Sequence, residues 1–458
     1  MPPLPEIVYP ILQTTMRLLI RRAEQRELWF QKRMRRADVS ALADYSFRQA
    51  VAYANRMAEV SPAYRRKLNE AGVKLPITES REAWLSLPTL RKSDFQQDSD
   101  EWFNNTLRRD ELQWSCTSGS TGEPYRFPVD AKTLRGEHIS FELSLRALGW
   151  RPGFREGALK MEMPPAKGLT RLARRLTGTV PIGFSAVEFR KEHAAEVMSA
   201  FRDGNVKYLR GYSSALALLA QEAQQKGLSC QIPLVTTFGE GLSTAQQEVI
   251  EKVFHCQAYR DYGGSEAMHV GFECPARTGY HLDLSRFHVE VLDGERTVQP
   301  GETGEIVVTC FRNGAMPFVR YRMGDLGTVT DPNEPCPCEN TQPRLSAVEG
   351  RINDTILTPT GRFVNVLFFV YVLEFAHEHI TGFRVIQRDT DWLEILYVPR
   401  HDRALEHLKK IEPQIAERTD GSMKITWKEV GEIPPSPSGK RRILVPLEVW
   451  KAQQAGKS

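Results

Sequence analysis

A loop dense in hydroxyl groups and glycine runs from Thr117 to Pro124 and reads Thr-Ser-Gly-Ser-Thr-Gly-Glu-Pro. The backbone amides and hydroxyl groups of such a loop can bind the oxygens of a polyphosphate. A standard P-loop has two glycines separated by four residues and followed by Lys and Ser or Thr, whereas Gly119 and Gly122 are closer together and Glu123 follows them. The loop therefore predicts a phosphate site whose lysine and metal ligand come from elsewhere in the chain. It argues against a kinase or GTPase of the P-loop type.

Three further segments carry groups that suit phosphate and metal chemistry. The segment from Tyr262 to Glu266 reads Tyr-Gly-Gly-Ser-Glu, which offers an aromatic face for a purine and a carboxylate for a hard cation. Asp325 ends the segment Tyr-Arg-Met-Gly-Asp, and its carboxylate can accept hydrogen bonds from two neighbouring hydroxyl groups. Lys440 lies in a Pro-Ser-Gly-Lys turn. The alternatives are a plain strand end with an exposed Glu at the first segment and a basic surface patch at Lys440.

Four side chains that commonly bind metals fall in two clusters, Cys274 with His281 and Cys336 with Cys338. Three thiolates and one imidazole form a set of four that suits tetrahedral zinc. We expect a structural zinc site that joins loops and takes no part in catalysis. The alternative is a set of reduced cysteines that are unrelated to one another.

The spacing of the cysteines bears on the compartment of the protein. Seven cysteines at irregular spacings among 458 residues do not resemble a disulfide framework, and they suit a reducing compartment. Because the first residues lack the basic start and apolar core of a secretory signal, we expect a cytoplasmic protein. Outside the four candidate ligands, the cysteines are interpreted as core thiols (Cys116, Cys230 and Cys310) or, for Cys256 with His255, as a weaker ligand pair.

Composition and charge exclude several classes of protein. Hydrophobic residues make up 41% and charged residues 26% of the chain, which is ordinary for a globular protein. The formal charge of +4, from 61 basic and 57 acidic residues, is too small for a nucleic-acid-binding surface. The most apolar segment, Val364 to Leu373, is broken by Asn365 and is shorter than the roughly 18 residues of a spanning helix. We expect a multi-domain enzyme that binds no nucleic acid and does not span a membrane.

The elements that must position these groups follow from hydrophobic periodicity. The stretch from Leu12 to about Ala71 has a helical pattern rich in Arg, Ala, Glu and Leu. The middle third alternates helical stretches with short apolar runs such as Ile232 to Thr237, which is typical of βαβ units. Beyond Gly279 the pattern changes to alternating strands closed by Gly, Asp and Asn turns, which indicates antiparallel pairing. The helices of the middle third are expected at residues 194–203, 214–226 and 244–253.

These patterns predict an α/β fold class with two domains. The N-terminal domain, residues 1–349, is expected to hold mixed sheets, with a helical region at 1–75 and a β-rich lobe at about 280–349. The segment from Gly350 to Asp354 precedes a final segment of about 100 residues, which is long enough for a small separate domain. We therefore place a small, mobile α+β C-terminal domain at residues 350–458.

Five segments, taken in order, resemble the adenylate-forming superfamily, and specifically its phenylacetate-CoA ligase-like branch, which includes CapK-like proteins. The resemblance covers nearly the whole chain. Any one segment would be a weak signal by itself, whereas five in the same order are specific. They are Thr117 to Pro124, Tyr262 to Glu266, Tyr321 to Asp325, Gly350 to Asp354 and Pro437 to Lys440.

The resemblance implies that these segments bind ATP and Mg²⁺. Tyr262 would stack on adenine, Ser265 would contact the α-phosphate and Glu266 would be a ligand of Mg²⁺. The β- and γ-phosphates would be held by the residues of the hydroxyl-rich loop. These are Ser118, Gly119, Ser120, Thr121 and Gly122.

The other segments would bind the nucleoside and activate the acid. Asp325 would accept hydrogen bonds from both ribose hydroxyls, and Arg351 would support the ribose or a phosphate. Gly239 and Glu240 fall in a turn that resembles the family's adenine-contacting turn. Lys440 matches the family's adenylation lysine, whose ammonium bridges the carboxylate and the α-phosphate.

The implied reaction joins a carboxylate to the α-phosphorus of ATP and expels pyrophosphate. Rotation of the C-terminal domain about residues 351–354 would then withdraw Lys440 and admit a second substrate. The chain departs from the family pattern at two positions. Asn353 stands where the hinge residue is usually Asp, and Met323 stands where the Tyr-Arg-Thr-Gly-Asp motif has Thr. These departures bear on the second step more than on adenylation.

The leading functional prediction is an ATP-dependent acid-CoA ligase that forms AMP and pyrophosphate. Its acid is a small carboxylic acid, with an aryl or arylacetic acid as the family default, and its pocket is expected to include Tyr212, Phe238 and residues 161–164. The basic stretch Arg171 to Arg175 is a candidate for binding the phosphates of coenzyme A. One alternative passes the acyl group to an amine or a carrier protein. Another is a catalytically degenerate, zinc-stabilised binding protein. The sequence gives no signal of oligomeric state.

Overall fold

A computed structural model gives the fold of the chain. It describes residues 22–96, 99–116, 126–160, 182–185, 193–239, 241–242 and 244–351, and in the last part of the chain residues 355–360, 363–365, 368–369, 372–373, 376, 378–433, 444–445 and 447. The predicted α/β class is confirmed, because helices cover a large sheet that contains both parallel and antiparallel strands.

The first part of the described chain is helical, as the periodicity predicts. Asp38 caps the longest of these helices by accepting hydrogen bonds from the backbone amides of Ser40 and Ala41. Ser61 ends that helix and caps the next one, which begins with Pro62. The helices are α1 (Arg22–Met34), α2 (Val39–Val60), α3 (Pro62–Glu70), α4 (Arg81–Leu85) and α5 (Lys92–Gln96), followed by short 3-10 turns at Ser99–Trp102 and Arg109–Glu111.

A parallel half-sheet forms the middle of the chain. Strands β3 (Arg155–Lys160), β4 (Ile182–Ser185), β5 (Val206–Tyr212), β6 (Leu234–Phe238) and β7 (Gln257–Gly264) pair in the order β4-β3-β5-β6-β7, and all four pairings are parallel. The helices around them are α6 (Ala131–Ala147), α7 (Ala194–Asp203), α8 (Ser213–Gln225) and α9 (Thr244–Phe254). The three helices predicted in this region are confirmed to within one residue at each end.

At β7 the sheet changes from parallel to antiparallel pairing, because β7 pairs with β8 in the opposite direction. The antiparallel strands are β8 (Met268–Glu273), β9 (Tyr280–Leu282), β10 (His288–Asp293), β11 (Arg296–Thr297), β12 (Thr303–Thr309), β13 (Tyr321–Val329) and β14 (Arg344–Arg351). A Cβ atom on Gly263 would lie 1.6 Å from the carbonyl oxygen of Met268, so the two strands can approach this closely only at a glycine.

The hydroxyl-rich loop connects two short antiparallel strands. These are β1 (Gln113–Cys116) and β2 (Arg126–Val129), which pair from Gln113 with Val129 to Cys116 with Arg126. Residues 117–125 themselves lie outside the described part of the chain. The paired strands bring the two ends of the loop side by side.

The last part of the chain has its own sheet and hydrophobic core. A small pair consists of β15 (Thr355–Leu357) and β16 (Phe363–Asn365), and a four-stranded sheet has the order β19-β18-β17-β20. Its core contains Val385, Leu393, Ile395 and Leu408, all buried. The elements are β17 (Ile380–Asp389), β18 (Trp392–Pro399), α10 (Ala404–Lys409), α11 (Glu412–Arg418), β19 (Lys424–Glu429) and β20 (Leu444–Val445). The predicted boundary at residue 350 stays a prediction.

Among the described residues, no helix combines the length and apolar character that crossing a membrane requires.

Candidate active site

Three neighbouring strands end at one edge of the parallel half-sheet. Tyr212 at the end of β5 pairs with Phe238 at the end of β6, and the Tyr262–Glu266 segment lies at the end of β7. The rings of Tyr212 and Phe238, the two predicted pocket residues, have centroids 4.8 Å apart. Ligands of open α/β sheets bind outside the carboxyl ends of the strands, so this edge is the candidate site.

Gly239 follows β6 with a φ of 76°, in the left-handed region that favours glycine. A Cβ atom at this position would lie 2.9 Å from Cε1 of Tyr212. Glycine therefore lets the chain turn away from β6 without displacing the pocket ring. The adjacent Glu240 lies outside the described residues.

The predicted adenine-stacking and ribose-binding residues contact each other. The hydroxyl group of Tyr262 donates a hydrogen bond to Oδ2 of Asp325 over 3.3 Å. Asp325 lies in β13, where its strand partner in β14 is Arg351. Three residues from three distant segments of the sequence are thus brought to one place, although the side chain of Arg351 is outside what the structure describes.

The predicted magnesium ligand is positioned by a neighbouring tyrosine. The hydroxyl group of Tyr321, the first residue of β13, donates a hydrogen bond to Oε1 of Glu266 over 2.9 Å. A Cβ on Gly264 would lie 3.6 Å from Oε2 of Glu266 and 2.9 Å from Cε of Met323. The side chain of Met323 therefore packs against the Gly-Gly turn. Met323 is the residue that stands where the resembled superfamily usually has Thr. Ser265 lies in the same turn, one residue before Glu266.

A buried polar network, which the sequence did not predict, lies behind this edge of the sheet. Nδ1 of His269 is hydrogen-bonded to Oδ1 of Asp261, and Nε2 of His269 is 2.8 Å from Oγ of Ser144. Arg210 donates to Oδ2 of the same aspartate over 2.9 Å. Burial by itself raises the pKa of Asp261, but the interactions with His269 and Arg210 outweigh burial and lower the pKa below its ordinary value.

Helix α6 supplies further polar side chains to this network. Glu137 accepts a hydrogen bond from the amide of His269 over 3.0 Å and from Nη1 of Arg286 over 2.7 Å. Ser140 and Ser144 are buried on the same helix. Polar residues at a spacing of three and four, on a helix that packs against a sheet, are the sequence signal that could have identified this network.

The four predicted metal ligands converge. Their ligand atoms all lie within 4.8 Å of one another, with Cys274 Sγ 3.3 Å from Cys336 Sγ and Cys336 Sγ 3.3 Å from Cys338 Sγ. Nε2 of His281 is 3.1 Å from Cys338 Sγ. A tetrahedral ion with bonds of about 2.3 Å to sulfur would separate its ligand atoms by a little under about 4 Å, so the set fits zinc after a small expansion.

The surroundings of the cluster favour ligation. Nδ1 of His281 is 3.1 Å from the carbonyl oxygen of Gln342, to which it donates, and this leaves Nε2 unprotonated toward the thiols. Burial lowers the pKa of His281 to about 4, so the imidazole is neutral at physiological pH. The amide of Ala276 donates to Cys274 Sγ over 3.3 Å, and Thr278 Oγ1 lies 3.2 Å from Cys336 Sγ.

The cluster joins two connections of the antiparallel strands. Cys274 follows β8, His281 lies on β9, and the other two cysteines lie between β13 and β14. Cys230 and Cys310 are buried, as predicted, and Cys256 is not part of the cluster. The side chain of Cys116 is not described.

The remaining predicted site residues lie outside the described part of the chain, and their roles stay predictions. They are Ser118, Gly119, Ser120, Thr121, Gly122, Asn353 and Lys440, together with residues 161–164 and 171–175.

The chain resembles known proteins both in sequence and in fold. The CapK C-terminal domain family matches residues 356–446. The chain is 26% identical over 343 residues to the phenylacetate-coenzyme A ligase of Thermus thermophilus, covering 72% of this chain and 74% of the relative. It is 23% identical over 438 residues to the protein CapK of Staphylococcus aureus, covering 90% and 91%.

Among solved structures, 2-hydroxyisobutyryl-CoA ligase in complex with R3-HIB-AMP has a similar fold. The TM-score is 0.69 and the identity is 19%, over 93% of this chain and 94% of that one. The same ligase with 2-HIB-AMP and CoA, in its thioesterification state, gives a TM-score of 0.60 at 21% identity, over 93% and 94%. The chain therefore has the fold of these adenylate-forming ligases, it is similar in sequence to phenylacetate-coenzyme A ligases and to CapK, and its last part matches the CapK C-terminal domain.

Proposed function

We propose that this protein is an ATP-dependent ligase that activates a small carboxylic acid as an acyl or aryl adenylate and then transfers the acyl group to coenzyme A. The single observation that carries the proposal is the contact between Tyr262 and Asp325 at the carboxyl edge of the sheet, beside Glu266. An aromatic face next to a carboxylate suits a nucleoside, and a second carboxylate suits the cation that accompanies its phosphates.

In the first half-reaction, a carboxylate oxygen of the acid attacks the α-phosphorus of ATP, and the bond to the bridging oxygen of pyrophosphate breaks. Tyr262 stacks on adenine and Asp325 accepts hydrogen bonds from the ribose, which fixes the α-phosphate near Ser265. Glu266, held by Tyr321, would bind Mg²⁺, which neutralises phosphate charge. Lys440 contributes the remaining positive charge to the transition state.

In the second half-reaction, the thiol sulfur of coenzyme A attacks the acyl carbon and forms the thioester bond. The bond from the acyl carbon to the oxygen that bridges it to phosphorus breaks, AMP leaves with that oxygen and the bonding electrons, and the thiol proton is released. The sequence similarity to phenylacetate-coenzyme A ligases supports coenzyme A as the acceptor. An amine or a carrier protein is the second candidate acceptor, and the 27% identity over 188 residues to the indoleacetate--lysine synthetase of Pseudomonas savastanoi supports the amine.

Pyrophosphate exchange tests the first step without knowledge of the acceptor. Labelled pyrophosphate should enter ATP in the presence of the right acid, and Lys440→Ala should lose several hundred-fold of the rate, because one preorganised charge contributes about 3 to 4 kcal/mol. Absence of exchange across a broad acid panel, with nucleotide binding intact by calorimetry, would instead favour a catalytically degenerate binding protein. Product masses after addition of coenzyme A, amines or a carrier protein separate the two acceptors.

We also propose that Cys274, His281, Cys336 and Cys338 bind one structural zinc ion. The convergence of the four ligand atoms and the orientation of His281 support it. The ion would tie the β8–β9 turn to the β13–β14 connection, in the same lobe that carries Asp325. Metal analysis of the purified protein should give one zinc per chain, and Cys336→Ser should remove it. Cys256→Ser, which changes a cysteine outside the cluster, should retain the zinc.

A further inference from the structure

The guanidinium group of Arg210 lies next to Phe238, one of the two predicted pocket residues. Arg210 precedes Tyr212 by two residues on β5, so both side chains project from the same face of the sheet. Cζ of Arg210 is 4.6 Å from the ring centroid of Phe238 and 4.2 Å from that of Phe141 on α6. The ring of Phe238 in turn contacts that of Tyr212. A continuous series of side-chain contacts therefore leads from Tyr212 through Phe238 to the guanidinium of Arg210.

The donors of this guanidinium are only partly used within the described part of the chain. Nη2 donates to Asp261, whereas the buried Nε has no hydrogen-bond partner there. Asp261 also accepts from His269, so one carboxylate serves two donors. The Arg210 side chain keeps 25% of its surface exposed, against 9% for Asp261. Since a guanidinium has five N–H donors, several remain for the oxygen of a ligand.

We propose that Arg210 determines acid specificity, by donating hydrogen bonds to an oxygen-bearing group at the end of the acid that is remote from the reacting carboxylate. This inference rests on the proposed function and on the prediction that Tyr212 and Phe238 line the pocket for the acid. The oxygen belongs to a second carboxylate, a carbonyl or a hydroxyl group. An acid with a purely apolar end would cover the remaining N–H groups of Arg210 without offering them an acceptor, and a site built on hydrogen bonds discriminates strongly against such an analogue.

Matched arylacetic acids test the inference through pyrophosphate exchange. The para substituent is carboxylate, hydroxyl or methyl, so the acids differ mainly in the oxygen offered to Arg210. Wild-type kcat/KM should be about 10- to 100-fold higher for at least one oxygen-bearing acid than for the methyl analogue, which corresponds to one hydrogen bond to a charged group. Arg210→Met should remove this preference while the methyl acid reacts as well as before or better, and Arg210→Lys should retain part of it.

Arg260→Met is the matched control. Arg260 lies beside Asp261 on β7, pairs with Glu273 over 3.3 Å and lies over the ring of Tyr280 at 5.9 Å, so it has the same kinds of contact as Arg210. It does not line the predicted pocket, and its loss should leave the order of the acids unchanged. If Arg210→Met does not fold, the order of kcat/KM values among the acids is measured instead in the Arg210→Lys and Asp261→Asn variants.

The outcomes separate this inference from the function on which it rests. If no acid supports pyrophosphate exchange by the wild-type protein, the proposed function is overturned, and this inference with it. Wild-type protein that exchanges, but prefers the methyl acid or keeps the same order of acids after substitution of Arg210, overturns the inference alone. An equal loss for all acids identifies Arg210 as a residue that only supports the fold, and also overturns it.

Discussion

Asp325 on β13 accepts a hydrogen bond from Tyr262 at the end of β7, so the two residues that we propose for ribose and adenine contact each other directly. The strands that carry them are separated in the sheet by β8, β9 and β14. The antiparallel half-sheet must therefore curve to bring these two side chains together, at the nucleoside site that we propose. This geometry leads to the first prediction.

Asp325→Ala should weaken ATP binding by roughly 100-fold, because two hydrogen bonds to a charged acceptor are lost, at about 1.5 kcal/mol each. Tyr262→Phe keeps the aromatic face and removes only the 3.3 Å hydrogen bond, so it should cost no more than about 1 kcal/mol. Calorimetric titration with a non-hydrolysable ATP analogue measures both. Equal affinity in Asp325→Ala and wild type would remove Asp325 from the nucleotide site.

Glu266→Gln should raise the Mg²⁺ concentration needed for half-maximal exchange by at least about tenfold, because a neutral amide is a poorer ligand for a hard cation than a carboxylate. Tyr321→Phe removes the 2.9 Å hydrogen bond that orients Glu266 but keeps the charge, and it should shift the magnesium dependence less. Titration of MgCl₂ at fixed ATP makes the comparison. A Glu266→Gln protein with unchanged magnesium dependence contradicts the assignment.

Gly263→Ala should destabilise the protein by about 3 kcal/mol, since its Cβ would lie 1.6 Å from the carbonyl oxygen of Met268 and β7 and β8 would have to separate. Gly431→Ala is the control, because a Cβ there meets nothing within 4 Å. Urea denaturation followed by tryptophan fluorescence measures both changes. A small cost at Gly263 would mean that the two strands are farther apart than described.

Loss of the proposed zinc ion should destabilise the lobe that carries Asp325. Cys336→Ser and a strong chelator should each lower the melting temperature, and chelator should have no further effect on the variant, because both remove the same ion. Cys256→Ser should melt as wild type does and respond to chelator as wild type does. Stability that is insensitive to chelator in protein shown to contain zinc would mean that the ion contributes little to folding.

His288 should make stability depend on pH. Its ring lies against those of Phe47 and Trp84, and burial lowers its pKa below the ordinary value near 6.5. A histidine kept neutral in the folded state contributes stability above about pH 6.5 that is lost as the pH falls toward the folded pKa, because the unfolded state takes up the proton first. Urea midpoints at pH 8 and pH 5.5 should differ less in His288→Gln than in wild type. The exposed His138→Gln should not change the difference.

The sequence by itself determined the local features of this protein. Helical periodicity, the βαβ rhythm and the Gly-Gly turn after Tyr262 depend on neighbouring residues, so α7, α8 and α9 are predicted nearly to the residue. The order of the five segments and the four metal-ligating side chains are also properties of the chain. For this reason the resemblance to the adenylate-forming superfamily and the four side chains of the Cys/His cluster are recognised before the fold is known.

Only the tertiary structure decided which side chains meet. The contact of Tyr262 with Asp325, the support of Glu266 by Tyr321 and the network of Arg210 with Asp261 join segments far apart in sequence. Such pairings follow from strand order and sheet curvature, which are set by packing over the whole core and leave no periodic signal in any one segment. In particular, a lone Arg in a strand gives no sequence signal of the aromatic rings and the aspartate that surround it.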